Sequence, residues 1–273
     1  MLATMMAPGD DTAVAAPLPL LHDDRWLLAV HKPAGLLVHR TALDAQTHDD
    51  VVTRLRAQLG APVWPVHRLD KGTSGVLLLA RDVHTAGQLG ALFAGGVPSD
   101  SSAQGAARPL HKPLHKPLHK QYLALVRGWP ADSGQTDAPL ARDPELPSSG
   151  QPLLAASTRW QVLRRLVLPL ATQAPHADTR LALLAVQPLS GRRHQIRRHF
   201  KALAHPLIGD ATHGKGPLNR TLAAHLGVAR LWLHAQELQF SHPATGQALR
   251  LRAEPGPEWA LLRLAEDQPK RSA

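Results

Sequence analysis

"PVHRLDKGTSGVLLLA", residues 65–80, opens as a polar turn and closes in an unbroken apolar run. A short apolar run ended by Arg81 and Asp82 reads as a buried strand. Just upstream, Asp70 is a lone carboxylate between Arg68 and Lys71, set on the glycine turn Gly72-Thr73-Ser74-Gly75. For an acid beside cations, a solvated surface ion pair is the ordinary outcome. Its place at a tight turn feeding a buried strand argues against that, because rigid scaffolds present functional groups at such points.

Outward from this stretch, "WLLAVHKPAG" (26–35) predicts a strand over Trp26 to Val30 stopped by a Lys-Pro-Ala-Gly turn. "DVVTRLRAQL" (50–59) predicts a short helix with Val52, Leu55 and Leu59 on one face, and a second helix is expected from about Asp82 to Phe93. "QYLALVRG" (121–128), "STRWQVLRRLVL" (157–168) and "TRLALLAVQPL" (179–189) are strand-like, with residues 132–152 a loop-rich connection. "GRRHQIRRHFKAL" (191–203) has Ile196, His199, Phe200 and Leu203 at helical spacing, which places His194, Arg197, Arg198 and Lys201 on the opposite, solvated face. Residues 205–220 and 241–247 read as turns, with strands near 230–239 and 247–252 and a closing helix from about Pro257. Strands are separated by loops more often than by helices. The expected class is therefore α+β, with a long mixed, mostly antiparallel sheet flanked by helices and loops.

Lysine and arginine total 31 against 21 acidic residues, and a surplus of ten positive charges favours a polyanionic partner. Membrane is the weaker choice. No apolar run approaches bilayer length, and residues 1–17 lack a basic n-region and carry Asp10 and Asp11 where a signal peptide is apolar. A cytoplasmic, monomeric protein is expected, with a disordered leader over 1–17, one domain over 18–264 and a tail over 265–273. The absence of cysteine excludes disulfides, thiolate nucleophiles and cysteine-bound metals, so the chemistry rests on oxygen and nitrogen groups. An insertion at about 95–118 leads into three copies of Pro-Leu-His-Lys (109–120), expected as a mobile basic loop because proline returns every fourth residue. His111, His115 and His119 recur there without acidic or cysteine partners, and no metal is expected.

Several motif readings fail on chemistry. "GDATHGKG" (209–216) has Gly216 where a phosphate-binding loop needs a hydroxyl for magnesium, so it reads as a glycine-rich surface turn. "GTSG" (72–75) is one residue short of a hydrolase nucleophile elbow. Glycosidase chemistry calls for a second carboxylate, which only a distant acid such as Asp210 could supply.

His67-Arg68-Leu69-Asp70 followed by Thr73-Ser74-Gly75, Lys32-Pro33-Ala34-Gly35, Lys120-Gln121-Tyr122, Gly191-Arg192 with His194-Gln195-Ile196-Arg197, and His205-Pro206 through Gly209-Asp210 occur in an order that resembles the RluA-type family of RNA pseudouridine synthases. Leu233-His234-Ala235 and His242-Pro243 with Thr245-Gly246 extend the likeness. The resemblance implies a fold built around a central basic cleft and a cofactor-free isomerisation: uracil leaves C1′ through N1, turns, and rejoins through C5. Asp70 is implied as nucleophile at the sugar or as base for a ribose proton. Arg197 is implied as its ion-pair partner, favouring the charged carboxylate, and Tyr122 as the ring that stacks on the uracil. Arg68 is implied to fill the space the flipped nucleotide leaves. His67, Lys32, Lys120, Arg192, Arg193, His194 and Arg198 are the expected RNA contacts, and Ile196, Leu233 and Thr73 the expected pocket wall. Local features, including "LVRGW" after Tyr122 and the doubled arginines of "RRHQIRRH", resemble the subgroup that modifies uridine 65 in the T stem of tRNA. The alternatives are the same reaction on 23S ribosomal RNA, or RNA binding without catalysis.

Overall fold

The structure, a computed structural model, describes residues 16–40, 49–95, 118–172, 175–264 and 266–268. Most of the expected leader, the insertion over 96–117 with nearly all of its repeat, and the last five residues lie outside the described residues. In chain order come β1 (Leu20–Asp23), β2 (Leu27–Lys32), α1 (Val51–Leu59), β3 (Trp64–Pro65), β4 (Ser74–Ala80), α2 (Val83–Phe93) and β5 (His119–Arg127). β6 (Ser133–Thr136), β7 (Leu140–Ala141), β8 (Leu153–Leu154), β9 (Thr158–Leu168), β10 (Thr179–Pro188), α3 (Gln195–Ala202) and α4 (Gly216–Leu226) follow. β11 (Leu233–Ser241), β12 (Ala248–Arg252), a 3₁₀ segment (Pro257–Leu264) and β13 (Glu266–Gln268) complete the described chain.

One 11-stranded sheet runs β1-β2-β4-β11-β5-β10-β9-β13, with β12, β3 and β6 added beside β11, β4 and β9. Among its described strands only β4 and β11 run parallel, so the expected α+β class with a mixed, mostly antiparallel sheet stands. The apolar run of β4 is buried at all seven positions because both faces are covered. Leu77 and Leu79 meet Val51, Val52 and Leu55 of α1, while Val76 and Leu78 meet Leu89 of α2 and Phe240 of β11. Across the midline, Leu123 and Leu125 of β5 pack with Leu218 and Leu222 of α4, and Ala124 and Val126 with Ile196 and Phe200 of α3. Each of α1 and α2 begins on an aspartate, Asp50 or Asp82, whose carboxylate accepts the backbone N–H of Thr53 or Thr85 and satisfies one donor of the first turn.

The parallel pairing consists of His234 beside Ser74 and Ala235 beside Gly75. Gly75 has φ +114°, and a Cβ there would collide with the Ala235 carbonyl, so only glycine lets the Asp70 turn enter the sheet at its midline.

Four expectations change. Residues 216–226 form a helix whose first five residues lie in the stretch over 205–220 read as turns: Pro217 sits in the first turn, where its missing N–H costs nothing, and Gly227 closes the end at φ 68°. The closing helix is 3₁₀, and the loop-rich connection over 132–152 contains β6 and β7, with β8 just beyond it. On α3, Arg197 is buried rather than solvated, because an acid beneath the helix takes its guanidinium.

Candidate active site

The loop carrying Asp70 is tied to the Lys-Pro-Ala-Gly turn. Gly35 donates its N–H to the Lys71 carbonyl at 2.8 Å, and the Lys32 ammonium donates to the carbonyls of Leu36, Pro33 and Lys71 at 2.6, 2.9 and 3.1 Å. Lys32 is wholly buried, and burial, partly offset by Asp70, brings its pKa to about 7. Within the turn, Thr73 N–H donates to the Asp70 carbonyl at 2.9 Å. Beyond it, Arg230 donates to Ser74 Oγ at 2.8 Å, which leaves the Ser74 hydroxyl to donate to His234 Nδ1 at 2.8 Å. His234 Nε2–H then donates to the Ala253 carbonyl at 2.9 Å, and burial holds this imidazole down to about 4, so the ring is neutral and its tautomer fixed.

Asp70 pairs with neither cation beside it in sequence. Its Oδ2 accepts from Arg197 Nη1 at 2.7 Å, across 127 positions of chain. The same guanidinium gives Nε and Nη2 to the two oxygens of Asp210, each at 2.8 Å. Asp210 Oδ1 also accepts the backbone N–H groups of Thr212 and His213, at 2.9 and 2.8 Å. Burial would raise the Asp210 carboxyl, but the Arg197 bonds and these N–H groups outweigh it and hold it below its ordinary value. Exposure separates the two acids: 18% for the Asp70 side chain and 1% for Asp210, so only Asp70 can meet a substrate. Asp210 aims the arginine, and Arg197 aims Asp70.

Asp70 lines a cavity of about 430 Å³ and also a second of about 560 Å³ that reaches Asp210 and Thr212. The first gathers every residue named above as a site candidate except Lys32 and Arg198. Tyr122 lies in its wall between two core clusters, and burial, together with the Asp70 charge, pushes its phenol well above the ordinary value. Lys120 donates to the Ser190 carbonyl at 2.8 Å, and burial lowers it to about 8. Arg68 is exposed at the lip of both cavities. His194, at φ 54° before α3, turns Nε2 toward Asp70 Oδ1 at 3.8 Å and bonds His213 through Nδ1 at 3.1 Å. Burial draws His194 below its ordinary value and His213 to about 4. Among the described residues, no group of three or more His, Cys, Asp or Glu side chains is placed to hold a metal ion.

Besides Lys120, three further expected RNA contacts are not solvated cations. The Lys32 ammonium is spent on carbonyls, and Arg198 Nη1 donates to the Ala141 carbonyl at 2.8 Å. His67 lies flat on Phe93, centroids 4.4 Å apart, and its Nε2 accepts the Leu78 N–H at 2.9 Å. Burial and the Lys120 charge bring it down to about 3. His67→Phe keeps the stacked ring but strands the Leu78 N–H. It is expected to cost about 1–3 kcal/mol, read by urea unfolding.

A fold with a lone carboxylate clamped by an arginine beside a tyrosine-walled cavity defines a class, and comparison identifies it. A family model described as RNA pseudouridylate synthase matches residues 26–202, and the chain belongs to that family. It is an RNA pseudouridine synthase, an isomerase, and the RluA-type likeness of its motifs stands. Proteins named tRNA pseudouridine synthase C are its relatives. That of Vibrio cholerae is 38% identical over 241 residues, covering 86% of this chain and 90% of that protein. That of Pasteurella multocida is 37% identical over 253 residues, covering 89% and 93%. The solved structure of human RNA Pseudouridylate Synthase Domain Containing 1 shares the fold, with TM-score 0.63 and 22% identity over 98% of this chain and 94% of that one. Among the described residues no helix is long and apolar enough to cross a membrane.

Proposed function

We propose that the protein isomerises uridine to pseudouridine in tRNA, at uridine 65 of the T stem, acting as a cytoplasmic monomer without cofactor. The observation that carries the catalytic reading is the Asp70–Arg197 bond at the edge of the cavity that Tyr122 lines. The relatives' names support tRNA as substrate.

In this reading the target nucleotide leaves its stack, at a cost of a few kcal/mol, and enters the cavity of about 430 Å³. Arg68 takes the vacated space. Asp70 Oδ2 is held by Arg197, and Oδ1, beyond hydrogen-bond reach of His194, is the oxygen that attacks C1′ or takes a ribose proton. Arg197 cannot follow a moving substrate because Asp210 holds its other edge. The N1–C1′ bond breaks, the uracil turns against Tyr122, Ile196 and Leu233, and C5–C1′ forms as Asp70 leaves C1′ or returns the ribose proton it took. The C5 hydrogen leaves as a proton and N1 gains one, so nothing is oxidised or consumed.

The test is tritium release from uracil C5 in tRNA and in 23S ribosomal RNA transcripts. Release from tRNA alone, with the product at position 65, is the expected result. Release from ribosomal RNA alone keeps the chemistry and removes the substrate. Release from neither, with RNA still bound, leaves a binding protein.

A further inference from the structure

Arg193 belongs to the walls of both cavities that Asp70 lines. Two acids already hold it: Nη1 donates to Asp143 Oδ1 at 3.2 Å, and Nη2 donates to Glu145 Oε1. Both acids sit on the excursion between β7 and β8. Its base is fastened to the α3 region: Arg198 donates to the Ala141 carbonyl, Arg192 to that of Ala155, and His199 Nε2 to that of Ala138, at 2.8 to 2.9 Å. Gln151 gathers its interior, donating to the carbonyls of Asp143 and Pro147 at 3.0 and 2.8 Å and accepting the Asp143 N–H at 2.7 Å. The acids are thus presented by a folded arm, while Leu146 and Leu153, 59% and 62% exposed, show that the arm buries little apolar surface of its own.

Stability is a poor reason for this arrangement. Asp143 and Glu145 are 37% and 47% exposed, and ion pairs so open to water contribute little. For affinity the arrangement is adverse, because carboxylates at the mouth of a polyanion site repel the ligand. Two acidic oxygens on the two ends of one guanidinium do reproduce the way arginine takes a phosphate. We propose that Asp143 and Glu145 are specificity determinants that stand in for a phosphate on Arg193, so that Arg193 serves only an RNA whose docking delivers a phosphate to that point. An RNA that fits exchanges one set of anionic partners for another at little net cost. One that does not fit meets two carboxylates and a cation already spent. The inference rests on the RNA-substrate reading above.

The experiment compares wild type, D143N/E145Q and R193Q, each as the full chain, binding a tRNA T-stem hairpin and an unrelated hairpin of equal length across a salt series. In D143N/E145Q the unrelated hairpin is expected to bind about tenfold more tightly, with a salt dependence steeper by about one phosphate contact. R193Q in the otherwise wild-type chain is expected to weaken the T-stem hairpin several-fold more than the unrelated one, which loses only the general electrostatic attraction. Unchanged affinity for the unrelated hairpin in the double variant, or equal weakening of both RNAs by R193Q, overturns the proposal. Should the double variant melt early, the R193Q comparison decides alone. Wild-type tritium release from tRNA, run alongside, separates the two readings: release with unaltered discrimination removes the lock alone, and no release removes the substrate reading beneath it.

Discussion

Asp70→Asn is expected to lower turnover by about a thousandfold or more while RNA affinity stays within a few-fold of wild type. The substitution keeps the side chain's shape and removes its charge and nucleophilicity. Arg197 retains both bonds to Asp210, so the surrounding structure has no cause to move. A carboxylate facing a polyanion contributes nothing favourable to binding, and its loss has no path to weaker affinity. Tritium release from tRNA measures the first quantity and filter binding the second. Turnover that survives the substitution would remove Asp70 from the chemistry, and affinity lost in proportion to turnover would make it a structural acid.

Arg197→Met is expected to cost about 3–5 kcal/mol of stability as well as activity, because it strands a carboxylate that is 1% exposed. In the wild type, burial works to raise the Asp210 pKa, and Arg197 with the two backbone N–H groups lowers it by more, to below the ordinary carboxylate value. A lowered folded-state value contributes stability that is present above the unfolded value and lost as pH falls through the folded one. In the variant the two backbone N–H groups act alone against burial, so the folded value rises and the charged carboxylate loses its stabilising contribution. The difference between variant and wild type should therefore be largest near neutral pH and shrink on acidification, as Asp210 takes up a proton. Urea unfolding at pH 7 and near pH 4.5 measures this, and a gap that widens in acid would contradict it.

The central strands were legible because "VLLLA" and "LALLAV" are short apolar runs bounded by turn or charged residues, a length and setting that suit buried strand better than helix. α4 was hidden by the same logic, since "GKGPLNR" carries two glycines and a proline, and only the three-dimensional setting shows Pro217 at a helix start. At the site, Asp70 stood out as a lone acid on a turn, but Asp210 did not. Its role depends on a contact made over the buried side of α3, and helical spacing assigned Arg197 to the opposite face. Periodicity sorts side chains by average polarity and cannot see that one buried carboxylate makes the interior the better place for a guanidinium. Lys32 was misplaced for a similar reason: three backbone carbonyls facing inward leave no mark on the sequence.

The charge of Asp70 is one of the reasons the Tyr122 phenol holds its proton so firmly. In the nucleophilic route, the bond from Asp70 to C1′ spends that charge, and Tyr122 feels the change without moving. The phenol would thus become easier to deprotonate only after the glycosidic bond has been broken, which is when a C5 proton first needs an acceptor. A side chain on the turn before β4 and another on β5 would then act as an interlock: the second step stays shut until the first has consumed what keeps it closed.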